Sequence, residues 1–337
     1  MKTTILILLV LSSIMSGYCQ SSEEYLNQGL LKLSEKDYQG AVADFTKSIE
    51  LKPKAANSYN SRGRAKVYLQ DYKGAIEDFT TTIEIYPEFA NAYNGRGNVK
   101  IILHDYQGAI EDFTKAIEIN PEYVDAYYNR STAKDSLRDY KGVIADCSKA
   151  IELKPNFIEA HNNRGLAKAK LQDYLGAIAD FSKAIKIDST NTGLSFDKVT
   201  SKTANNQSSE GTVDTTKSQT PETNPKRAVY YYNRGNAFSK LKNYQTAIVD
   251  FSAAIKINSK FSAFYSNRAS ANAALLKYKT AIADYTKAIE LSPGDSVAYY
   301  NRGMAKIALE QKDEGCADFK KASDLGLKDI DFSKYCK

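Results

Sequence analysis

Hydrophobic and polar positions along this chain follow helical spacing within short segments, and the segments themselves recur. Within residues 90–123, Tyr93, Gly97, Ile101 and His104 lie on one helical face, and after a break Ala109, Phe113, Ala116 and Ile117 do so again. The pattern predicts two helices joined by a short turn. Pro121 follows the second helix, where its fixed φ and missing N–H end a helix at little cost, and Pro53, Pro87, Pro155 and Pro293 hold the same place elsewhere. The period is 34 residues: Tyr38-Gln39-Gly40-Ala41 recurs as Tyr72-Lys73-Gly74-Ala75, Tyr106-Gln107-Gly108-Ala109, Tyr140-Lys141-Gly142-Val143 and Tyr174-Leu175-Gly176-Ala177. After an interruption it resumes at Tyr244-Gln245-Thr246-Ala247 and Tyr278-Lys279-Thr280-Ala281, and Lys312-Asp313-Glu314-Gly315 stands there in the last unit. Eight units result: 22–55, 56–89, 90–123, 124–157, 158–191, 228–261, 262–295 and 296–329.

Columns within the units predict how the helices meet. Small residues fill one column at Gly29, Gly63, Gly97, Gly165, Gly235 and Gly303, and another at Ala41, Ala75, Ala109, Ala177, Ala247 and Ala281. In an antiparallel hairpin these stand almost level, so the backbones are expected to approach closely. Phe45, Phe79, Phe113, Phe181, Phe251, Tyr285 and Phe319 are expected to fill the space between neighbouring units. Unit four departs, with Ser131 and Val143 in the small columns, so its helices are expected to sit further apart. Arg62, Arg96, Arg130, Arg164, Arg234, Arg268 and Arg302 each precede an aspartate by 16 residues: Asp78, Asp112, Asp146, Asp180, Asp250, Asp284 and Asp318. The turn lies halfway between, so each pair is expected to form an ion pair inside its unit. Unit one has Gln28 opposite Asp44 and is expected to lack it.

Residues 192–227 interrupt the series. Thirteen of these 36 residues are Ser or Thr and few are hydrophobic, which predicts a flexible linker spanning roughly 30–35 Å that uncouples five repeats (22–191) from three (228–329). At the N-terminus, Met1-Lys2, the apolar run Ile5–Met15 and the sequence Ser16-Gly17-Tyr18-Cys19 read as a signal peptide ending at Cys19. Tyr18 and Ser16 argue against a lipidated Cys19. No later segment is apolar enough to span a membrane, so the mature chain is expected to be exported, periplasmic or secreted, and without an integral membrane segment. A net charge of +6, from 46 basic and 40 acidic residues spread along the chain, gives no reason to expect a nucleic-acid partner.

With this alignment in hand, the chain resembles the tetratricopeptide repeat proteins: Tyr93, Gly97, Tyr106, Ala109, Phe113, Ala116 and Pro121 reproduce the family pattern within one unit. The resemblance implies an all-α fold, an α-solenoid forming a right-handed superhelix of eight helix-turn-helix repeats, whose first helices line a concave groove. Asn27, Asn129, Asn163, Asn233, Asn267 and Asn301 form a column beside the glycine face of the first helices. A primary amide both donates and accepts, so a ladder of them could hold the backbone of an extended peptide; bonding to the helix or to a neighbouring repeat is the competing role. Ser61 and Gly95 interrupt the column, with Asn60 and Asn94 displaced by one residue and so turned by about 100°. Tyr128, Tyr232 and Tyr300 precede the asparagines, either as groove contacts or as packing. A carboxylate clamp of the co-chaperone kind needs groove cations, but Asn98, Thr132, Leu166, Asn236, Ser270 and Met304 are neutral and only Arg64 breaks the trend.

Cys147 falls in the Phe column and reads as a small buried hydrophobe. Cys316 and Cys336 are candidates for a disulfide holding the tail, residues 330–337, onto the last repeat in an oxidising compartment. Asp188-Ser189-Thr190 and Asp214-Thr215-Thr216 resemble acceptors of a bacterial O-glycosylation system. No zinc spacing, phosphate loop or nucleophile motif is present, so no metal, cofactor or catalytic activity is expected. The sequence points to a scaffold that binds protein or peptide segments in its groove, or to an assembly component of an envelope complex acting through its convex face or by self-association.

Overall fold

The computed structural model describes residues 20–191, 225–328 and 334–336. The leader 1–19, residues 192–224 of the linker with Asp214-Thr215-Thr216, and tail residues 329–333 and 337 lie outside them. The described residues form sixteen helices in eight antiparallel pairs. The first four pairs are α1 (Ser22–Ser34) with α2 (Tyr38–Leu51), α3 (Ala56–Tyr68) with α4 (Tyr72–Ile85), α5 (Ala90–Ile102) with α6 (Tyr106–Ile119), and α7 (Val124–Ser136) with α8 (Tyr140–Leu153). The second four are α9 (Ile158–Lys170) with α10 (Tyr174–Asn191), α11 (Pro225–Lys240) with α12 (Tyr244–Ile257), α13 (Ser262–Ala274) with α14 (Tyr278–Leu291), and α15 (Ser296–Ile307) with α16 (Lys312–Asp324). No strand occurs among the described residues. They divide into two compact units, Met1–Leu153 and Lys154–Lys337.

Each hairpin turns through one residue at positive φ: Lys36, Gln70, His104, Arg138, Gln172, Lys242, Leu276 and Glu310. The first helix thus ends on a left-handed residue, and the backbone N–H groups behind it return to the last turn, as Lys36 N to Leu33 O (3.2 Å) and Asp37 N to Lys32 O (2.9 Å). The next residue caps the second helix. Asp37, Asp71, Asp105, Asp139 and Asp173 accept from the N–H of Gly40, Gly74, Gly108, Gly142 and Gly176 at 2.9–3.0 Å. A Cβ on Gly108 would lie 2.3 Å from Asp105 Oδ2, so the recurring Tyr-x-Gly serves the cap.

The glycine column of the first helices also makes room for the aromatic column of the second. A Cβ on Gly97 would meet Phe113 Cε1 at 2.7 Å, and Gly29, Gly165 and Gly235 face Phe45, Phe181 and Phe251 in the same way. The ring of the second helix lies against the bare turn of its own first helix and also fills the space to the next repeat as expected, Phe45 with Ala65, Phe113 with Ala133 and Phe251 with Ala271 sharing cores. In repeat eight the two backbones also approach closely, since Cβ atoms on Gly303 and Gly315 would each lie within 3.0 Å of the other's carbonyl. Repeat four replaces the pair as a pair: Ser131 and Cys147 are both fully buried, with Sγ 3.3 Å from Oγ.

Within each unit the first helices of successive repeats touch, α1 with α3, α3 with α5 and α5 with α7, then α9 with α11, α11 with α13 and α13 with α15. Successive second helices make no comparable contact. The first-helix side is therefore the inner side of the curve.

The expected uncoupling at 192–227 is not met. Within the second unit, α10 packs against α11 as one repeat follows the next: Ala184 and Ile185 share a core with Ala228, Tyr230 and Tyr231. Residues 225–227 belong to α11, and Arg227, only 2% exposed, bonds Asp188 through Nε. The physical reason is that composition describes a segment's interior, whereas its last residues follow what they pack against. Asp188 and Ser189 are consequently buried within a helix, which removes Asp188-Ser189-Thr190 as an acceptor in the folded chain.

Candidate functional site: the inner face of the first helices

Every expected Arg–Asp pair forms. Arg130 holds Asp146 through Nε and Nη2 at 2.9 and 2.7 Å, and Arg62–Asp78, Arg96–Asp112, Arg164–Asp180, Arg234–Asp250, Arg268–Asp284 and Arg302–Asp318 repeat the geometry. The arginines do more than pair within a repeat. Nη1 of Arg62, Arg96 and Arg130 donates to Thr46, Thr80 and Thr114, on the second helix of the preceding repeat, at 2.9–3.1 Å. The guanidinium also lies over a tyrosine of its own helix, as Arg130 over Tyr127 at 5.7 Å. One side chain thus joins three helices.

A lysine one turn along adds a second cation to most of these aspartates: Lys66, Lys100, Lys134, Lys168 and Lys306 approach the second carboxylate oxygen at 2.8–2.9 Å. Repeat one, expected to lack a partner, has Lys32 at 2.7 Å from Asp44. That lysine follows Gln28 by one turn, a spacing visible in the sequence. Repeat six has Phe238 at this position, and burial there pushes the Asp250 carboxyl above its ordinary range against the opposing pull of Arg234. At Asp180 burial acts in the same direction, but His161, Arg164 and Lys168 outweigh it and hold the carboxyl well below its ordinary range. These networks are structural, and they fix the first helices beneath the groove.

The asparagines occupy the inner face and bond chiefly to one another. Asn129 Nδ2 donates to Asn94 Oδ1 at 3.0 Å, and Asn233 Nδ2 to Asn162 Oδ1 at 3.1 Å. Asn267 Nδ2 donates to Asn236 Oδ1 at 2.7 Å and to the Tyr232 hydroxyl at 3.2 Å. One rule covers all three: an asparagine of the expected column donates to the residue one place earlier in the column of the preceding repeat. The displaced Asn94, set aside by the 100° argument, is therefore an acceptor in the ladder, because neighbouring helices are rotated relative to each other. Asn163 stands 3.4 Å from Asn162, Asn301 is half-buried, and Asn27, in the first repeat, is exposed. Tyr128 is half-buried, while Tyr232 packs on Phe264 and Phe251 at 5.1 and 6.0 Å and Tyr300 on Phe319 at 5.5 Å. Tyr232 and Tyr300 thus spend their rings on packing.

Where the rule fails, a cavity opens. Gly95 stands where the donor to Asn60 belongs, because the Phe79 ring lies 2.7 Å from where its Cβ would be. The resulting hollow of about 280 Å³ is lined by Asn60, Arg64, Asn91, Asn94, Asn98 and Tyr123. Burial pushes the Tyr123 phenol up, with Asp125 adding to it and Arg64 and a bond from Asn94 opposing. At the far end of the chain, Cys316 and Cys336 are joined in a disulfide with Cα atoms 5.7 Å apart, and Tyr335 lies 6.2 Å from the Phe319 ring. No cluster suited to a metal and no membrane-spanning helix occurs among the described residues.

Comparison with known proteins follows the geometry. No curated protein sequence matches the chain significantly. Among solved structures, one titled YrrB, a TPR protein with an unusual peptide-binding site, is 21% identical over 65% of this chain and 95% of its own, with a TM-score of 0.50. A tetratricopeptide repeat protein from Parabacteroides merdae is 15% identical over 85% of this chain and 99% of its own, with a TM-score of 0.52. The structure of MamA is 26% identical over 48% of this chain and 95% of its own, with a TM-score of 0.46. Tetratricopeptide repeat sequence models match residues 25–54, 90–123, 124–157, 158–191, 228–261, 262–295 and 296–325, seven of the eight hairpins and well over half the chain, so the protein belongs to the tetratricopeptide repeat family.

Proposed function

We propose that this protein is a non-enzymatic scaffold, exported from the cell, that holds extended segments of a protein partner against the inner face of its first helices. The observation that carries the reading is the half-buried asparagine amides on that face, Asn94 and Asn129 in the first unit and Asn162, Asn163, Asn233 and Asn267 in the second. Each amide carries two N–H donors and an oxygen that can accept twice, more than the bonds between these side chains use. A peptide backbone laid along either set would exchange water for bonds of about 0.5–1.5 kcal/mol each, with little demand on its sequence. YrrB, a TPR protein with an unusual peptide-binding site, agrees with such a use of the fold, without identifying a partner here.

The test is capture of partners from the native extract by residues 20–337, comparing wild type with Asn129→Ala/Asn163→Ala/Asn233→Ala. The variant must first show unchanged helicity. Partners retained in full by the variant would refute the groove. A second reading, assembly through another surface, draws on exposed Leu69, Leu103 and Leu137, 38–49% exposed at the ends of three first helices. Self-association that survives the groove variant and is lost in Leu103→Ser/Leu137→Ser would favour it.

A further inference from the structure

The inner face carries one acceptor that the fold leaves without a donor. Asn60 is 7% exposed, and its Oδ1 has no hydrogen-bond partner. In the next repeat the equivalent oxygen, Asn94 Oδ1, receives the Nδ2–H of Asn129. Asn60 has no such neighbour because Gly95 replaces the donor, and Phe79 forbids a side chain there. A buried amide oxygen left unpaired is costly, and native proteins seldom keep one without a use. Beside it stands Arg64, exposed and with no ion pair or hydrogen bond among the described residues, the one cation among the residues lining the cavity. The other lining residues are asparagines, Gly95 and Tyr123, none of them charged.

We infer that the cavity between repeats two and three is a specificity pocket for an aspartate or glutamate within an extended peptide, whose backbone N–H bonds Asn60 Oδ1 while its carboxylate meets Arg64. The ligand N–H takes the place that the Nδ2–H of Asn129 takes one repeat later. The carboxylate gives Arg64 the fork it matches in geometry and charge. A volume of about 280 Å³ accommodates one such residue with part of its neighbours. A basic or apolar residue would leave Arg64 facing a like charge or unpaired. This rests on the reading of the inner face as a peptide groove and adds to it a requirement on the peptide.

The experiment offers the chain, residues 20–337, two libraries of capped nonapeptides, one with Asp or Glu fixed at the centre and one with Asn or Gln there, otherwise random. Capping both ends removes terminal charges that could mimic the acid. Peptides retained by wild type, Arg64→Gln and Asn60→Leu are counted by mass spectrometry. The expected result is at least tenfold enrichment of the acidic library on wild type and its loss on Arg64→Gln, an exposed position whose change leaves the fold intact. Asn60→Leu is expected to lose the enrichment while its melting temperature holds or rises, since the orphan oxygen is gone. Equal retention of both libraries, or enrichment that survives Arg64→Gln, overturns the acidic pocket and leaves the groove standing. Retention of neither library overturns both.

Discussion

Replacing Cys147 by phenylalanine should destabilise repeat four unless Ser131 becomes glycine at the same time. In six repeats a second-helix ring lies on a first-helix glycine, and a Cβ added to that glycine would come within 2.5–3.0 Å of the ring. Ser131 already has a Cβ and a hydroxyl in that place, with the small thiol of Cys147 opposite. Repeat seven, with Ala269 facing Tyr285, shows that one methyl can be absorbed when the ring is held elsewhere, here by a 2.9 Å bond from its hydroxyl to Ser270. A ring driven onto serine is therefore overpacked by about 1–3 kcal/mol. Ser131→Gly alone should cost about 1–2 kcal/mol, from the flexibility of glycine in a helix and the void it leaves. In the double variant the ring enters that void, so both penalties fall together and the coupling should reach about 2 kcal/mol in favour of the pair. Long arrays do not melt as one unit, so the readout should be local: hydrogen exchange of the α7 and α8 amides, with urea unfolding as a check. Additive losses, with Val143 native and also with Val143→Ala, would refute the idea that these positions are exchanged as a pair.

Further outcomes follow from the charges and the disulfide. Arg130→Ala leaves buried Asp146 with Lys134 as its only cation, so it should cost about 1.5–3 kcal/mol, above the 0.2–1 kcal/mol of exposed pairs, and should loosen α6 as well as α8 in hydrogen exchange because Thr114 loses its bond. The depressed Asp180 contributes stability above its unfolded value of about 3.9 that drains as the pH falls toward its folded value, so the melting-temperature gap between wild type and Asp180→Asn should shrink between pH 6 and pH 3. The raised Asp250 has the opposite sign: stability is lost as the pH rises through its folded value, so the gap to Asp250→Asn should widen over the same acidification. Cys316→Ser/Cys336→Ser opens a loop of 20 residues and should cost about 3 kcal/mol, confined to α15 and α16, which exchange on wild type with and without reductant can check.

The repeating hairpins, their stops and the Arg–Asp pairs were legible because periodic sequence imposes periodic geometry, and any relation found once is found in every copy. Legibility failed where a residue's role depends on the next repeat. The third bond of each arginine, to Thr46, Thr80 or Thr114, crosses between repeats, and no spacing within one copy announces it. Asn94 was discounted because a 100° rotation was judged on a single helix, whereas its partner Asn129 sits on another, turned helix. The small columns announce close packing of the two helices, but that the glycines also seat a ring from the same hairpin follows only once the depth of Phe113 is known. The linker was judged on average composition, and its last residue, Arg227, was claimed instead by a buried partner 39 positions away.

That last contact has a consequence for the chain's connectivity. The helices α10 and α11 pack as successive repeats, although 192–224 separate them in sequence. Closing a loop of that length costs about 3 kcal/mol, a slowly growing logarithm, so the interface and not the covalent path sets the register. The seam is therefore a natural place for new termini. Fragments 20–191 and 225–337, expressed separately, should reassemble in trans, with Arg227 finding Asp188 as it does in the intact chain. The same seam would accept a reporter domain between its edges, or a circular permutation opening the chain there, without disturbing the repeats on either side.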